Sequence, residues 1–336
     1  MKLFFLEYLM SISFKVSSED RSTLRRKILD LAIPAMIANI SSTILTLVDT
    51  MMIGHLSTIK LSAVGVASMA TWIEFPFAMG ITVGTTAIVA RHIGRGELEM
   101  AKKVCDQGVY MGFITGLILF SILFMVHDPF LRLLGTTELT HKDAVRYFVV
   151  YISSYPALMA SMALYGGLRG AGDTKTPMYL TIMSNGLNIF LDYSLIFGKF
   201  GFPKLDVLGA AIATTFSMLL AFVVGLILYD SGKLIIGGKM IPRLDYTIQK
   251  RILKVGIPAM IERFVNNGLM IVYNSMVAHL GEIQYAAHYI GVRIESISYM
   301  PGLGFSVAAT TLVGQNLGRK DIESAEKAAH ESAKMG

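Results

Sequence analysis

Two carboxylates in this sequence stand inside long apolar stretches that hold no charge to pair with them. Asp49 ends the run IPAMIANISSTILTLVD as its only charge, and Asp192 is alone in MYLTIMSNGLNIFLDYSLIF. Ionisable side chains within a bilayer are costly and mark ion, proton or substrate pathways. Counting back from Asp49 gives Thr46, Ser42 and Asn39 at spacings of three, four and three, which is one polar stripe on one helical face. Asn188 lies one turn before Asp192 and Asn185 two turns before it, again on one face. A carboxylate flanked by amide and hydroxyl oxygens can hold Na+ through hard oxygen ligands, or can carry a proton. Two of them facing one cavity could do either. The plainer alternative is a satisfied structural Asp on each helix, held by interhelical hydrogen bonds.

Other charges in apolar surroundings are candidates for the lining of a central cavity, where a carboxylate would attract organic cations. They are Glu74, Glu262 and Arg263, with local ion pairing as the alternative; Arg293 and Glu295 form a similar offset pair. His55 and His279 occupy equivalent span ends and read as interfacial structural residues. The segment GLRGAGDTK (167–175) lacks the order G-x-x-x-x-G-K-[ST] of a phosphate loop and reads as a tight turn. The ladders Gly108, Gly112, Gly116 and Gly80, Gly84 have the spacing of close helix packing, not of ligand sites. A single cysteine, Cys105, excludes an intrachain disulfide and any cysteine-based zinc or iron–sulfur centre.

The elements that must position these residues are set by composition. Of 336 residues, 53% are hydrophobic and only 16% charged, with a mean hydropathy of +0.56. A soluble domain carries about a quarter charged residues, so the apolar excess requires lipid-facing surface. Eight segments are long and apolar enough to be read as spans, near 31–56, 61–90, 104–127, 147–168, 176–198, 207–229, 255–280 and 285–314. Lengths of this kind fit helices, since barrel strands would be about 10 residues and alternating. With the N-terminus in the cytoplasm, 21 Lys and Arg of the connecting segments from Lys15 onward fall inside and six outside, as the positive-inside rule requires. The net charge of +6 is spread over separate short loops, which does not make a nucleic-acid footprint. Residues 3–14 are apolar but broken by Glu7 and lack a cleavage pattern, so the N-terminus reads as an interfacial or cytoplasmic arm and not as a signal peptide.

The sequence also repeats itself. At an offset of 224, ILDLAIPAMI from Ile28 meets ILKVGIPAMI from Ile252, and positions 26–103 hold 24 identities in 78 without a gap. Loop residues such as Gly94-Arg95 and Gly318-Arg319 match in register. Each copy has six spans, an even number, so the copies are expected to be parallel repeats related by an axis along the membrane normal. The expected organisation is an arm (1–27), a six-helix lobe (28–232), a cytoplasmic linker (233–251) and the first two helices of a second lobe (252–336). Four further spans are expected after these, so the chain reads as a C-terminally truncated form that does not itself transport. Asp49 corresponds to Tyr273 in the second copy, which locates cation coupling in the first.

The stretches VDTMMIGHLSTIKLSAVGVAS, GITVGTTAIVARHIGRGE, LRGAGDTKTPM and GFSVAATTLVGQNLGRKD resemble the MATE (multidrug and toxic compound extrusion) transporters, from about residue 25 to the end. The resemblance implies two six-helix lobes, alternating access, and export of drugs or organic cations in exchange for Na+ or H+. It is nearest to the DinF-like branch, whose first-lobe cation site uses an Asp of helix one and an Asn and Asp one turn apart on helix five; these match Asp49, Asn188 and Asp192. A Thr of helix six contributes there, and GAAIATTFS places it at Thr214. The NorM branch has a helix-seven Glu deeper in its span than Glu262, which lies four residues after Pro258, so the resemblance assigns no cation site to the second copy.

The expected function is therefore a secondary active antiporter of the cell membrane, with no cofactor beyond its coupling ion. Its partners would be the bilayer and a small amphipathic or cationic substrate, and it would act as a monomer when full length. Two other classes fit less well. A lipid-linked oligosaccharide flippase needs a cationic cavity for pyrophosphate, whereas this lobe is acidic at Asp49 and Asp192. An intramembrane aspartyl protease needs Y-D and G-x-G-D contexts, whereas the acids sit in VDT and LDY.

Overall fold

A computed structural model describes residues 18–240, 244–278 and 281–336. Most of the N-terminal arm, and His279 in its equivalence with His55, lie outside the described residues. The chain forms helices α1 (Ser18–Gly54), α2 (Thr58–Thr71), α3 (Phe75–Gly94), α4 (Leu98–Leu133), α5 (Glu138–Ile152) and α6 (Tyr155–Ala171). They are followed by α7 (Lys175–Phe197), α8 (Val207–Asp230), α9 (Tyr246–Ala278), α10 (Glu282–Gly318) and α11 (Ile322–Met335). Among the described residues there is no strand. An all-helical architecture follows from the solvent: in hydrocarbon every backbone N–H and C=O must be satisfied within the segment itself.

The lipid-facing surface is visible on α1. Ile33, Ile37, Ile40, Ile44, Leu47 and Met51 recur every three or four residues and are all exposed, an apolar stripe that water would not tolerate at this size. Among the described residues, five helical segments are long and apolar enough to cross a membrane, and a sixth forms if α5 and α6 count as one bent span. The seventh and eighth expected spans fall on α9 and α10, which are 33 and 37 residues long.

Two expected single spans are broken, each next to a proline. The second divides into α2, a 3-10 turn at Trp72–Glu74, and α3, with Pro76 in the first turn of α3. The fourth bends by 47° between α5 and α6, with Pro156 in the first turn of α6. Proline lacks the N–H that would serve the carbonyl one turn back. At the second break the Ser153 and Ser154 hydroxyls donate to the Val150 and Tyr151 carbonyls at 2.6 and 2.7 Å.

The glycine ladders set how closely the helices approach. A Cβ at Gly112 of α4 would stand 2.6 Å from the Met159 carbonyl oxygen of α6, and one at Gly116 would meet the Tyr155 carbonyl. The Gly112→Val variant is therefore expected to overpack this contact by about 1–3 kcal/mol, lowering the thermal midpoint of the purified protein by several degrees. At the turn read from GLRGAGDTK, Gly172 has φ +97° and Asp173 accepts from the Thr176 N–H at 2.9 Å, starting α7.

Contacts of α9 and α10 with the six-span bundle come in pairs that exchange under the 224-residue offset. A Cβ at Gly80 would stand 2.9 Å from the Gly256 carbonyl; at Gly304 it would stand 2.8 Å from the Ala32 carbonyl. Likewise Gly94 abuts the Gln315 backbone while Gly318 abuts that of Arg91, and Gly314 meets its own counterpart, Ala90. Thr311 and Gln315 of α10 also donate to the Arg169 and Gly170 carbonyls at 2.9 and 3.1 Å.

The segment joining the bundle to α9 is tied down by buried polar groups on α4. Lys102 Nζ donates to Asp106 Oδ2 at 3.0 Å and to the Lys239 carbonyl at 2.6 Å. Tyr229 Oη donates to Asp106 Oδ1 at 2.7 Å, and Gln107 Oε1 accepts from the Asp245 N–H at 2.9 Å. The region expected as a cytoplasmic arm is helical from Ser18, and Arg25 there pairs with Glu331 of α11 at 3.0 Å.

Candidate functional site

α1 and α7 lie side by side, and their polar faces meet twice. Asn185 Nδ2 donates to Ser41 Oγ at 2.9 Å and more weakly to Ser42 Oγ at 3.4 Å. Two turns further along both helices, the carboxyl groups of Asp49 and Asp192 adjoin each other. Ser42 to Asn185 and Asp49 to Asp192 are both 143 positions apart, as two helices running in the same direction require. The seven-residue step keeps both pairs on the shared seam.

α8 closes the other side. Asn188 is buried, and its amide, oriented to satisfy both neighbours, donates to Asp192 Oδ2 at 3.0 Å and accepts from Thr214 Oγ1 at 3.1 Å. Asp192 is fully buried, while Asp49 is partly exposed. One oxygen of each acid, Asp49 Oδ1 and Asp192 Oδ1, is buried without a hydrogen-bond partner. Asp49, Asn188, Asp192 and Thr214, predicted from three separate spans, thus converge on one place. Two adjoining carboxylates cannot both stay ionised there without a proton or cation between them. The donors are hard oxygens, and among the described residues no group of three or more His, Cys, Asp and Glu side chains gathers. Such a set suits Na+ or a proton and does not suit a transition metal.

The remaining predicted residues are placed differently. On α1 the hydroxyls of Ser42 and Thr46 donate to the carbonyls of Ala38 and Ser42, at 3.2 and 3.0 Å. Ser42 and Thr46 are exposed, and Asn39 is half-buried. Of this stripe, Ser42 and Asp49 meet α7. Glu74 sits at the break between α2 and α3. Glu262 is exposed and Arg263 half-buried on α9. Among the described residues, neither forms an ion pair with the other or with the Asp49–Asp192 pair. They flank Phe264, whose ring meets Phe77 of α3 edge-on at 5.5 Å. Adjacent residues on a helix point about 100° apart, which keeps Glu262 and Arg263 from sharing a partner.

Sequence reasoning missed Ser41 and Tyr147. Ser41 receives the shorter Asn185 bond, yet it lies off the stripe counted from Asp49. Tyr147 of α5 is buried close enough to Asp49 and Asp192 to feel both charges. Its signal was present, since Tyr147, Tyr151 and Tyr155 recur every four residues.

Comparison with known proteins agrees with the fold. The sequence profile of the MatE family matches residues 34–194 and 258–336. The chain is 34% identical over 307 residues to a Thermotoga maritima protein named "Probable multidrug resistance protein NorM", covering 91% of this chain and 66% of that protein. It is 29% identical to a Shewanella oneidensis protein named "FAD transporter", covering 90% of this chain and 67% of that one. The chain thus spans about two thirds of the length of these relatives. Among solved structures, it superposes on a MOP superfamily transporter from Pyrococcus furiosus with a TM-score of 0.85 and 26% identity, covering 93% of this chain and 69% of that one.

Proposed function

The chain belongs to the MatE family, a family of membrane transporters, and from that premise we propose that it supplies the ion-coupling lobe of a secondary antiporter. The exported molecule is a small amphipathic or cationic compound, and the driving ion is Na+ or H+. The observation that carries this reading is the apposition of Asp49 and Asp192 between α1 and α7, with Asn188 and Thr214 completing an oxygen-lined site. Deprotonated and without a cation, the two carboxylates repel, and α1 is pushed from α7. A bound proton or Na+ removes the repulsion and draws the helices together.

Helix α1 is suited to respond. Ser42, Thr43, Thr46 and Thr50 each donate a hydroxyl hydrogen bond to the carbonyl four residues back, at 2.7 to 3.2 Å. Back-bonding of this kind loosens and bends a helix, and Pro34 interrupts the ladder about two turns before Ser42. Occupancy of the acid pair then biases the shape of α1, and the substrate leaves outward as the cavity beside it changes. On this reading the chain is divided as expected from the sequence, into a six-helix lobe over 28–232, a linker over 233–251 and part of a second lobe from 252.

The test is export by the whole protein in proteoliposomes under an imposed Na+ gradient, an imposed pH gradient, or neither. Export of an organic cation should rise with one of the gradients and collapse when it is dissipated. Equal rates under all three conditions would exclude coupled antiport. Running flavin adenine dinucleotide beside the organic cations identifies the substrate class, since the relatives' names include both drugs and FAD.

A further inference from the structure

Glu74 lies about sixteen residues along the second span, at the 3-10 turn between α2 and α3. Its carboxylate sits beside the backbone N–H groups of Glu74 and Phe75, at the N-terminal end of α3, where the helix dipole favours negative charge. The other carboxylate oxygen, Oε2, is buried and has no hydrogen-bond partner. Among the described residues no Lys, Arg or His pairs with it. The titratable groups that face it are Tyr151 of α5 and Tyr155 of α6.

These tyrosines belong to a column. Tyr147 and Tyr151 stack with ring centroids 6.0 Å apart, and Tyr155 meets Tyr151 edge-on at 6.2 Å. Along α2 a matching row of polar groups faces them: Ser68 lies by Tyr147, and Thr71 by Tyr151, while Tyr155 Oη donates to the Thr71 carbonyl at 2.8 Å. At one end of the column Tyr147 lies within electrostatic reach of the Asp49–Asp192 pair; at the other stands Glu74. The second copy differs at the positions equivalent to Glu74 and its turn. Ser298 replaces Glu74, and α10 runs unbroken through the equivalent positions. The acid and the helix break occur together only in the lobe that carries the acid pair. Non-helical backbone at membrane depth is tolerated where it is buried in protein or lines a water-filled cavity.

We propose that Glu74 is a second proton-carrying acid of this lobe, loaded and unloaded in step with the Asp49–Asp192 pair through the tyrosine column. The inference rests on the antiport reading. In each cycle one proton binds the Glu74 carboxylate, neutralising it, and leaves again. The tyrosines stay neutral and transmit the change in charge by reorienting their hydroxyl groups.

Two measurements test it. The first counts protons released when an organic cation binds the detergent-purified whole protein, using a pH indicator dye. The Glu74→Gln variant should release about one proton fewer than wild type, with substrate still bound. The second is made on the wild-type protein and needs no folded variant. Dicyclohexylcarbodiimide, which modifies protonated carboxyl groups in apolar surroundings, should label the Glu74 peptide, with labelling that falls as substrate is added. Glu74 unlabelled at every pH, or labelling indifferent to substrate, would overturn the proposal. Asp192→Asn run in parallel separates the two readings. Proton release reduced in Asp192→Asn but unchanged in Glu74→Gln overturns this inference alone; release unchanged in both overturns it and removes H+ as the ion of the acid pair, and the gradient assay then decides Na+-driven antiport.

Discussion

Gradient-driven export is expected to fall by tenfold or more when Asp192 is replaced by Asn in the whole protein, and by a similar factor for Asp49→Asn. Coupling free energies between sites are about 1–3 kcal/mol, equivalent to roughly 5- to 150-fold, and a neutral amide at either position removes the charge that couples ion to helix. The two variants should differ in their structural side effects. Asp192 is fully buried and accepts from Asn188. An amide there keeps the Asn188 bond only with its oxygen toward Asn188 and its nitrogen at the buried, unpartnered Oδ1 position. Asp49 is partly exposed and faces fewer fixed partners, so its Asn variant should keep nearly wild-type thermal stability. Export and substrate binding measured side by side decide the matter. Export lost with binding retained places the acids in coupling. Both activities unchanged would leave the acid pair a structural feature of the α1–α7 seam.

The largest expected loss of stability comes from the Lys102–Asp106 pair. Asp106 is fully buried and the Lys102 side chain is 10% exposed, so solvent screens little of their interaction. Lys102→Met would leave the Asp106 carboxylate buried beside the Tyr229 hydroxyl without its cation, and would also free the Lys239 carbonyl. Breaking one side of a buried pair costs about 3–5 kcal/mol. The thermal midpoint should therefore drop by more than it does for Gly112→Val. Removing both charges, in Lys102→Met with Asp106→Leu, should recover part of that loss, because no uncompensated charge remains. The tie to Lys239 makes a second expectation. Limited proteolysis of Lys102→Met should cut between Ser231 and Asp245 earlier than in wild type. A midpoint and cleavage pattern like wild type would mean that the pair does not hold the linker.

Much of the fold was legible because lipid enforces it. Apolar runs of sufficient length predicted the first six spans, and the ladders Gly80–Gly84 and Gly108–Gly112–Gly116 predicted close packing wherever a Cβ would meet a facing helix. The breaks were less legible, although Pro76 and Pro156 were in view. A proline in a span can kink it, end it or be absorbed, and its neighbours decide which. Arg25 and Glu331, 306 residues apart, meet only because α1 and α11 come together at one end of the bundle.

By itself the sequence determined which residues could act: two lone acids, each on a polar helical face, and a 224-residue repeat in which Asp49 of the first copy meets Tyr273 of the second. Helical periodicity is local, so spacing alone settles which side chains share a face. Only the tertiary structure decided that Asp49 and Asp192 adjoin, that Asn188 and Thr214 close the site, that Glu262 and Arg263 stay apart from it, and that Tyr147 lies near it. Those contacts depend on how parallel helices 143 residues apart come into register. Register is fixed by side-chain packing across the whole seam, and no single stretch of sequence contains that information.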